Sequence, residues 1–286
     1  GAVGLLKLAA RDSVTLPTEK AGFHDLPAGG KYHEASTADA LKTALQKVVL
    51  EVLDSSTLTS ASVSANSFDR TQTLDSVYYG MFEPSTGARW QGNLKKYKIV
   101  NGAQVDANGN AAVNAAGEFH LNSKSFWSST VDGNDVTKGG VAEMLRTTLV
   151  ADRTFLTDIT GTGLLTEFSE TEIDSQYSTT AELTTQFNIP VAEVANVVDH
   201  IEWAMGKNVD SVKLADDTIP TIRPDVFGDP LHSKPIVINY GSGNSRIVIG
   251  TNSGVLHMFE DDATLNKVTE SWAYLPKEFF KNIKQH

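Results

Sequence analysis

The chain has no cysteine, no long apolar segment and fewer basic than acidic side chains. Without cysteine it forms neither disulfides nor thiolate metal sites, and this absence does not decide the compartment. No apolar run approaches the roughly 20 residues that a helix needs to cross a bilayer, so we expect no transmembrane segment. The 286 residues include 24 basic and 35 acidic side chains, for a formal net charge of -11. Such a chain cannot neutralise a run of phosphates, so we expect no nucleic-acid partner.

The motifs that usually mark catalysis are also missing. The histidines include no pair in the H-E-x-x-H arrangement of a zinc protease helix, and there is no G-x-S-x-G turn around a serine nucleophile. Gly241-Ser242-Gly243 resembles a dinucleotide fingerprint, but Arg246 stands where the third glycine belongs and a strand follows. The carboxylate pairs Asp216-Asp217 and Asp261-Asp262 lie in predicted loops, where adjacent side chains point apart. We therefore predict no catalytic residue, no cofactor-binding residue and no enzyme activity.

Short strands dominate the sequence after Arg223. Four runs rich in β-branched and aromatic residues are separated by polar or glycine-containing turns. These runs are IVINY at 236–240, RIVIGT at 246–251, VLHMFE at 255–260 and SWAYLP at 271–276. Their spacing predicts an antiparallel meander. So small a sheet cannot bury both faces alone, a pattern that is typical of one blade of a β-propeller.

The residues before and within this meander resemble a known family. The run GDPLHSKPIVINYG at 228–241, followed by VIGTNSGVLHMFE and SWAYLP, resembles the opening of the propeller domain of the PilY1/PilC family. These proteins are large adhesins and biogenesis factors associated with the tips of bacterial type IV pili. FEPSTGARWQGNLKKYKI at 82–99 resembles the family's β-rich middle domain, and GKYHEASTADALKTALQKVV resembles the end of its von Willebrand factor A (VWA) domain. The resemblance thus covers most of the chain.

The resemblance implies a mainly β fold with a few helices, divided into three parts. Residues 1–54 are expected to be the C-terminal strand and helix of an α/β VWA-like domain. Residues 55–145 are expected to form an antiparallel β-rich connecting domain. Residues 146–286 are expected to begin a β-propeller, with its first blade and a packing helix, and this propeller is incomplete in the chain.

The VWA-like tail is predicted from a helix over residues 38–53. Ser36 and Asp39 form a capping box, and apolar residues recur at helical spacing after it. The metal site of such a domain would precede the first residue of this chain. The run at 54–58 resembles the D-x-S-x-S metal motif, but Leu58 replaces its second serine, and we interpret the run as a linker.

In the connecting domain, alternating apolar and small or polar residues predict half-buried antiparallel strands between 60 and 99. Trp90, Leu94 and Tyr97 are predicted to anchor the core. The neighbouring lysines are interpreted as the solvated face and end of a strand, with contact to an acidic partner as the alternative. They are Lys95, Lys96 and Lys98.

Asparagine and glycine are dense in residues 100–121, where one run resembles a calcium loop. Asp106, Asn108 and Asn110 match the first three ligands of D-x-N-x-N. However, Ala111 replaces the required glycine, and no acidic residue stands at the twelfth position. A hairpin excursion is therefore the preferred interpretation.

Two histidines, His232 and His257, lie in the stretch that resembles the propeller. Facing strands could bring them together as metal ligands. We expect instead that each one hydrogen-bonds within the blade and fixes a loop. We therefore predict no metal-binding residue in this chain.

Two further patterns precede the meander. The run RTFLTDITGTGLLTEFS at 153–169 predicts a strand, turn and strand, a hairpin that could supply an outer blade strand or close the ring. Residues 190–205 predict a helix with Pro190 in its first turn and Gly206 after its end. Its expected buried stripe is Val194, Val198, Ile201 and Met205. We interpret it as a packing helix and not as a site.

The resemblance implies a non-enzymatic, secreted protein at the pilus tip or on the outer-membrane surface, reached through the periplasm. Such a protein primes pilus assembly with minor pilins, opposes retraction, and attaches to host cells or abiotic surfaces. Calcium in this family is held by an aspartate-rich loop on a later propeller blade, so we expect that site outside this chain.

Two alternatives stay open. A periplasmic quinoprotein-type propeller enzyme has similar blades, although the matches upstream of the propeller and the missing quinone ligands favour the adhesin. A non-catalytic envelope scaffold cannot be separated from an adhesin by sequence. The chain lacks an initiator methionine and ends after about one blade, so we expect a processed chain or a fragment. The rest of the parent polypeptide would then complete the propeller.

Overall fold

The computed structural model describes residues 75–85, 89–114, 117–214, 216–241 and 244–284, with the backbone of two short strands before them. The VWA-like tail predicted for residues 1–54, including its capping box, lies outside the described residues. By their contacts, the described residues belong to one unit, Thr57–His286.

The first sheet has five antiparallel strands. They are β1 (Leu58–Thr59), β2 (Val63–Ser64), β3 (Ser76–Glu83), β4 (Gln91–Val100) and β5 (Ala103–Val105). β3 and β4 pair along the whole of β3, while β1 and β2 lie on the far side of β3 and β5 on the far side of β4. The strand predicted around residues 88–99 is thus confirmed as β4, a strand with neighbours on both sides.

The second sheet has six strands in the order β7-β6-β11-β10-β9-β8. They are β6 (Phe155–Thr157), β7 (Thr166–Glu167), β8 (Ile236–Asn239), β9 (Asn244–Gly250), β10 (Leu256–Asp262) and β11 (Lys267–Tyr274). The predicted meander is confirmed as β8 to β11, and the predicted hairpin as β6 and β7. β6 pairs in parallel with β11, so the hairpin adds two strands to the edge of the meander.

A β-bulge in β11 decides which of its side chains face the core. Trp272 lies opposite Met258, but Glu270 lies opposite the next residue of β10, Phe259, so Ser271 is extra. The bulge changes the phase of the alternation. As a result Glu270 turns inward beside the buried Phe259, although Trp272, two residues later, turns outward.

The described helices are short. They are the α-helices α1 (Gly140–Thr147), α2 (Glu170–Gln176), α3 (Thr180–Phe187) and α4 (Val197–Ala204), and the 3-10 helices Val150–Asp152, Val191–Asn196 and Lys277–Asn282. None of the helices in the described part of the chain is long and apolar enough to cross a membrane.

The single helix predicted over 190–205 is corrected to a 3-10 helix followed by α4. Pro190 does not lie in the first turn but caps the 3-10 helix. Most of the predicted stripe is confirmed, because Ile201 is buried in an apolar cluster against which Val194 and Met205 also pack, while Val198 is half-buried. The buried residues of α4 are Val197, His200, Ile201, Trp203 and Ala204.

Two apolar clusters hold the described unit together. The first lies between the two sheets and includes Tyr78 and Leu94 from the five-stranded sheet, Leu145 from α1, and Ile247 and Phe259 from the six-stranded sheet. The second packs the β6–β7 hairpin against α2, α3 and α4. Leu94 and Tyr97 are fully buried as predicted, whereas Trp90 is only half-buried and stacks on Phe82.

The structure is mainly β with a few helices and with antiparallel and mixed sheets. The first cluster draws residues from both sides of position 145, so the ranges 55–145 and 146–286 share one core. Their division into separate domains, the VWA-like tail and the propeller blade stay predictions.

Candidate functional site

The run 228–235 is fastened to the turn between β9 and β10. Asp229 Oδ1 accepts hydrogen bonds from the side chain of Asn252 at 2.5 Å and from the amide of Leu231 at 3.3 Å. The Asn252 amide donates to the Asp229 carbonyl at 2.8 Å, and the Asn252 side-chain oxygen contacts His232 Nδ1 at 3.0 Å. Burial raises the pKa of Asp229. We call this group, Asp229, His232 and Asn252, the turn clamp.

The turn clamp lies where the two sheets meet. The Gly92 amide donates to the Phe227 carbonyl at 3.0 Å, and a Cβ at Gly92 would lie 2.2 Å from the Gly228 carbonyl oxygen. Only glycine permits so close a backbone approach. The residues that carry the strongest resemblance therefore join the start of β4 to the turn of the meander.

A small cavity of about 60 Å³ lies beside the turn clamp. On one wall the Arg223 guanidinium lies 4.1 Å from the centre of the Trp203 ring and donates to the Trp203 carbonyl at 3.1 Å. Arg223 also pairs with Asp225 at 3.1 Å. Since a water occupies about 30 Å³ of liquid, this cavity has room for about two waters. It is too small for a sugar ring or a nucleotide.

The interpretation of Lys95 and Lys96 as a solvated strand face is wrong. Both side chains are completely buried, while Lys98 is half-buried with its Nζ 5.0 Å from the centre of the Phe126 ring. Adjacent residues on a strand point to opposite faces, and both faces of β4 are covered here. Each buried lysine pairs with its own aspartate.

A loop of residues 123–139 surrounds the ammonium group of Lys95. Nζ donates to the carbonyls of Asp135, Asp132 and Gly133 at 2.7, 3.2 and 3.3 Å, and lies 3.0 Å from the Asp132 carboxylate. That carboxylate also accepts hydrogen bonds from Ser125 and Ser128 at 2.8 Å. Burial lowers the pKa of Lys95, and the Asp132 charge opposes this shift.

Lys96 points to the opposite face and contacts Asp261 on β10. Its Nζ lies 2.9 Å from Oδ1 and 2.6 Å from Oδ2 of that carboxylate. Tyr78 O–H donates to Oδ2 at 2.5 Å, and Trp127 Nε1–H donates to Oδ1 at 3.1 Å. Burial lowers the pKa of Lys96, with Asp261 opposing, and burial raises the pKa of Tyr78. The four residues form the inter-sheet cluster.

The loop predicted for Asp261-Asp262 is also corrected, because both residues belong to β10. Asp261 is 2% exposed and faces the core, whereas Asp262 turns outward and accepts the amides of Thr264 and Leu265. The two side chains do point apart, as expected for an extended chain. Asp216 caps its own turn through Thr218, in a loop as predicted.

A third buried charged group surrounds Glu270. Arg153 donates to it through Nε at 2.6 Å and Nη2 at 2.9 Å, and also donates to the Met205 carbonyl. His257 Nδ1 lies 2.7 Å from Glu270 Oε1. Burial alone would raise the pKa of Glu270, but the hydrogen bonds from His257 and Arg153 outweigh burial and lower it to about 2.

Burial lowers the pKa of His257, and Glu270 opposes this shift. The neutral ring therefore donates Nδ1–H to Glu270. Among the described residues, no group hydrogen-bonds to the buried Nε2 of His257. As predicted, His232 and His257 each hydrogen-bond within the meander, and their partners, Asn252 and Glu270, are different.

In the calcium-like run at 106–110, backbone amides take up the hydrogen-bonding capacity of the Asp106 carboxylate. Asp106 Oδ1 accepts the amides of Asn108 and Asn110, both at 2.9 Å, and Oδ2 accepts the amide of Lys124 at 3.1 Å. These bonds form the turn of the predicted hairpin after β5. In the part of the chain that the structure describes, no three His, Asp or Glu side chains are placed to hold a metal ion.

The outer face of the six-stranded sheet carries an apolar row. The strand register aligns Ile236, Val248, Met258 and Trp272 across β8, β9, β10 and β11. Residues opposite each other in antiparallel strands share a face. Ile236 is 58% exposed and the other three are half-buried. Ile238 and Tyr240, at and just beyond the end of β8, add further exposed apolar surface.

Sequence reasoning missed the buried aspartate partners, because they lie far from the lysines in the chain. The one available signal is that Lys95 and Lys96 stand between Leu94 and Tyr97 in a strand with apolar residues on both faces. Compared with known protein families, curated proteins and solved structures, the chain has no match in any of the three.

Proposed function

We propose that this chain is a non-catalytic, structural part of a secreted adhesin or assembly factor of bacterial type IV pili. The observation that carries this proposal is the turn clamp. The residues of its run, 228–235, are those with the strongest resemblance to the PilY1/PilC family, and they are used to fasten two sheets together. Residues that hold two sheets together help a protein to resist pulling force, and this supports a structural role for the chain.

In this proposal the meander β8 to β11 is the first blade of a β-propeller. Its inner face packs on the rest of the described unit, and its outer face bears the apolar row. In a propeller, each sheet packs its faces on neighbouring sheets. The outer face would therefore contact a further sheet of the same polypeptide, and a calcium site would belong to a later blade outside this chain.

The partners in this proposal are minor pilins at the pilus tip and the surface of a host cell or an abiotic material. Short strands paired across two sheets resist extension, which suits a protein that opposes pilus retraction.

The proposal is tested by locating the protein in its bacterium with an antibody raised to this chain. We expect the antigen in the fraction of sheared surface pili and on the outer membrane of intact cells. Antigen confined to the soluble periplasm would overturn the pilus assignment. A near-ultraviolet absorption band from a bound quinone in the purified native protein would instead support the enzyme alternative.

A further inference from the structure

The two buried lysines of β4 differ in how their ammonium groups are satisfied. Lys95 contacts three backbone carbonyls in addition to its aspartate, so each of its three N–H bonds has an acceptor. Lys96 contacts only the two oxygens of Asp261 within the described residues. An ammonium group with too few acceptors is poorly stabilised in a dry interior. The two lysines are therefore a matched pair that differs in the number of acceptors which the described residues offer to the ammonium group.

The carboxyl group of Asp261 is held against the Lys96 amine. Both of its oxygens lie within 2.9 Å of Lys96 Nζ, so the nitrogen is at the oxygen edge of the carboxyl group and must move to the face of that group before it can add to Cγ. Each oxygen also accepts one hydrogen bond from a neutral donor, from Tyr78 and from Trp127. The oxygen that carries the negative charge when a nucleophile adds to the carbon therefore has one fixed donor, whichever oxygen it is.

The surroundings of the inter-sheet cluster exclude water. The Lys96 side chain is fully buried, that of Asp261 is 2% exposed, and the rings of Tyr78 and Trp127 pack with centres 5.5 Å apart. In such a medium a proton passes more readily from ammonium to carboxylate, because the neutral pair costs less to bury than two charges.

We propose that Lys96 and Asp261 condense to an isopeptide bond that joins β4 to β10. Lys96 first transfers one proton to Asp261, giving a neutral amine and a carboxylic acid. The amine lone pair then attacks Cγ, and the carbonyl electrons move to the unprotonated oxygen, where the donor that reaches that oxygen, Tyr78 at Oδ2 or Trp127 at Oδ1, stabilises the charge. One proton moves from nitrogen to the hydroxyl oxygen, the C–O bond breaks, and water leaves. The product is a neutral amide plus one water molecule, so the reaction needs no oxidant or co-reactant.

This bond would link two sheets covalently between residues 165 positions apart in the chain. It does not depend on the proposed function, because it follows from the inter-sheet cluster alone. Lys95 and Asp132 serve as the internal control, since the ammonium group of Lys95 is satisfied and is expected to stay charged.

The test is the intact mass of the purified 286-residue chain, measured under denaturing conditions. We expect a mass lower than that of the sequence by one water molecule, and not by two. Tryptic digestion should yield a branched peptide that contains Lys96 and Asp261, because a lysine in an isopeptide bond is not cleaved. A mass equal to that of the sequence, unchanged after prolonged incubation of the folded chain, would overturn the proposal.

Three variants sharpen this test. Lys96→Arg keeps the positive charge but cannot form a neutral nucleophile, so it should show the full mass, whereas Lys95→Arg should still lose one water. Tyr78→Phe removes one donor and should slow formation of the bond by about 100-fold. If Lys96→Arg fails to fold, the wild-type mass and its branched peptide decide the question by themselves.

Discussion

Each face of the six-stranded sheet contains an exception to the usual pattern of apolar side chains inside and polar side chains outside. The inner face carries charged or polar side chains that are almost fully buried: His257, Asp261 and Glu270. The outer face carries an apolar row that is partly exposed. The inner charges all have partners on other elements of this chain, which fixes how that face packs. The outer face carries its apolar row beside a partly exposed ion pair, Arg246 with Glu260 at 2.9 Å, and the row suits contact with another sheet.

The largest effect on this comparison is expected from Asp261→Ala. The change removes the group that holds the buried Lys96, whether as an ion pair or as the proposed amide, and should lower the free energy of unfolding by about 3–5 kcal/mol. Urea denaturation measures it. The matched control is Asp262→Asn, since the neighbouring carboxylate faces outward. An equal loss of unfolding free energy in both variants would show that the buried Asp261 is no more important for stability than the outward-facing Asp262.

Glu270 should make the inner face sensitive to acid. Its pKa falls from the ordinary value of 4.5 to about 2 in the folded protein. The unfolded chain therefore takes up a proton before the folded protein does, and stability present above about pH 4.5 is lost as the pH falls towards 2. The loss should be about 3 kcal/mol. Glu270→Gln should lack this loss of stability in acid. Unfolding curves measured between about pH 5 and 2, the range set by the two pKa values, would show the difference. A parallel pH profile for wild type and variant would contradict it.

Adjacent residues of β8 allow a direct comparison of the two faces. Val237 is buried and Ile238 is 39% exposed. Val237→Thr places a hydroxyl in the core and should cost about 1–3 kcal/mol, whereas Ile238→Thr should cost about 0.5 kcal/mol or less. Thermal or urea unfolding of both variants gives the difference. If Ile238→Thr were the more damaging change, the assignment of inner and outer faces would be wrong.

The smallest effect concerns the turn clamp. Asn252→Ala removes the side-chain hydrogen bonds to Asp229 and His232 but keeps the backbone one to the Asp229 carbonyl, and it should lower the free energy of unfolding by about 1 kcal/mol. Hydrogen exchange of the Leu231 and Gly250 amides should accelerate in the same variant, because the run 228–235 is released. Unchanged exchange at both amides would mean that the clamp does not hold this run.

Much of the meander could be predicted from sequence, because the alternation in residues 236–260 marks both strand type and inner face. The short helices were harder to predict. Ser169 and Thr179 each stand three residues before a glutamate, the capping-box spacing that begins α2 and α3, but these helices have too few turns for a clear apolar period.

The inter-sheet cluster could not be predicted in the same way. Lysine and aspartate are rarely buried, so each of Lys96 and Asp261 alone indicates solvent. The two side chains can be buried only because they pair across the two sheets. No local sequence pattern indicates a partner 165 positions away. A prediction from strict alternation of apolar and polar residues also misses the β-bulge at Ser271, which turns Glu270 inward.

The central claim of the proposed function is that the outer face of the six-stranded sheet is covered in the native protein. Because the chain has no cysteine, a single cysteine at Ile238 can be labelled with a thiol reagent. We predict that it reacts rapidly in the isolated chain and is protected in the native protein displayed on cells. A cysteine at Leu164, 70% exposed in a loop, should react in both. Equal labelling of the position-238 cysteine in the isolated chain and on cells would contradict the account.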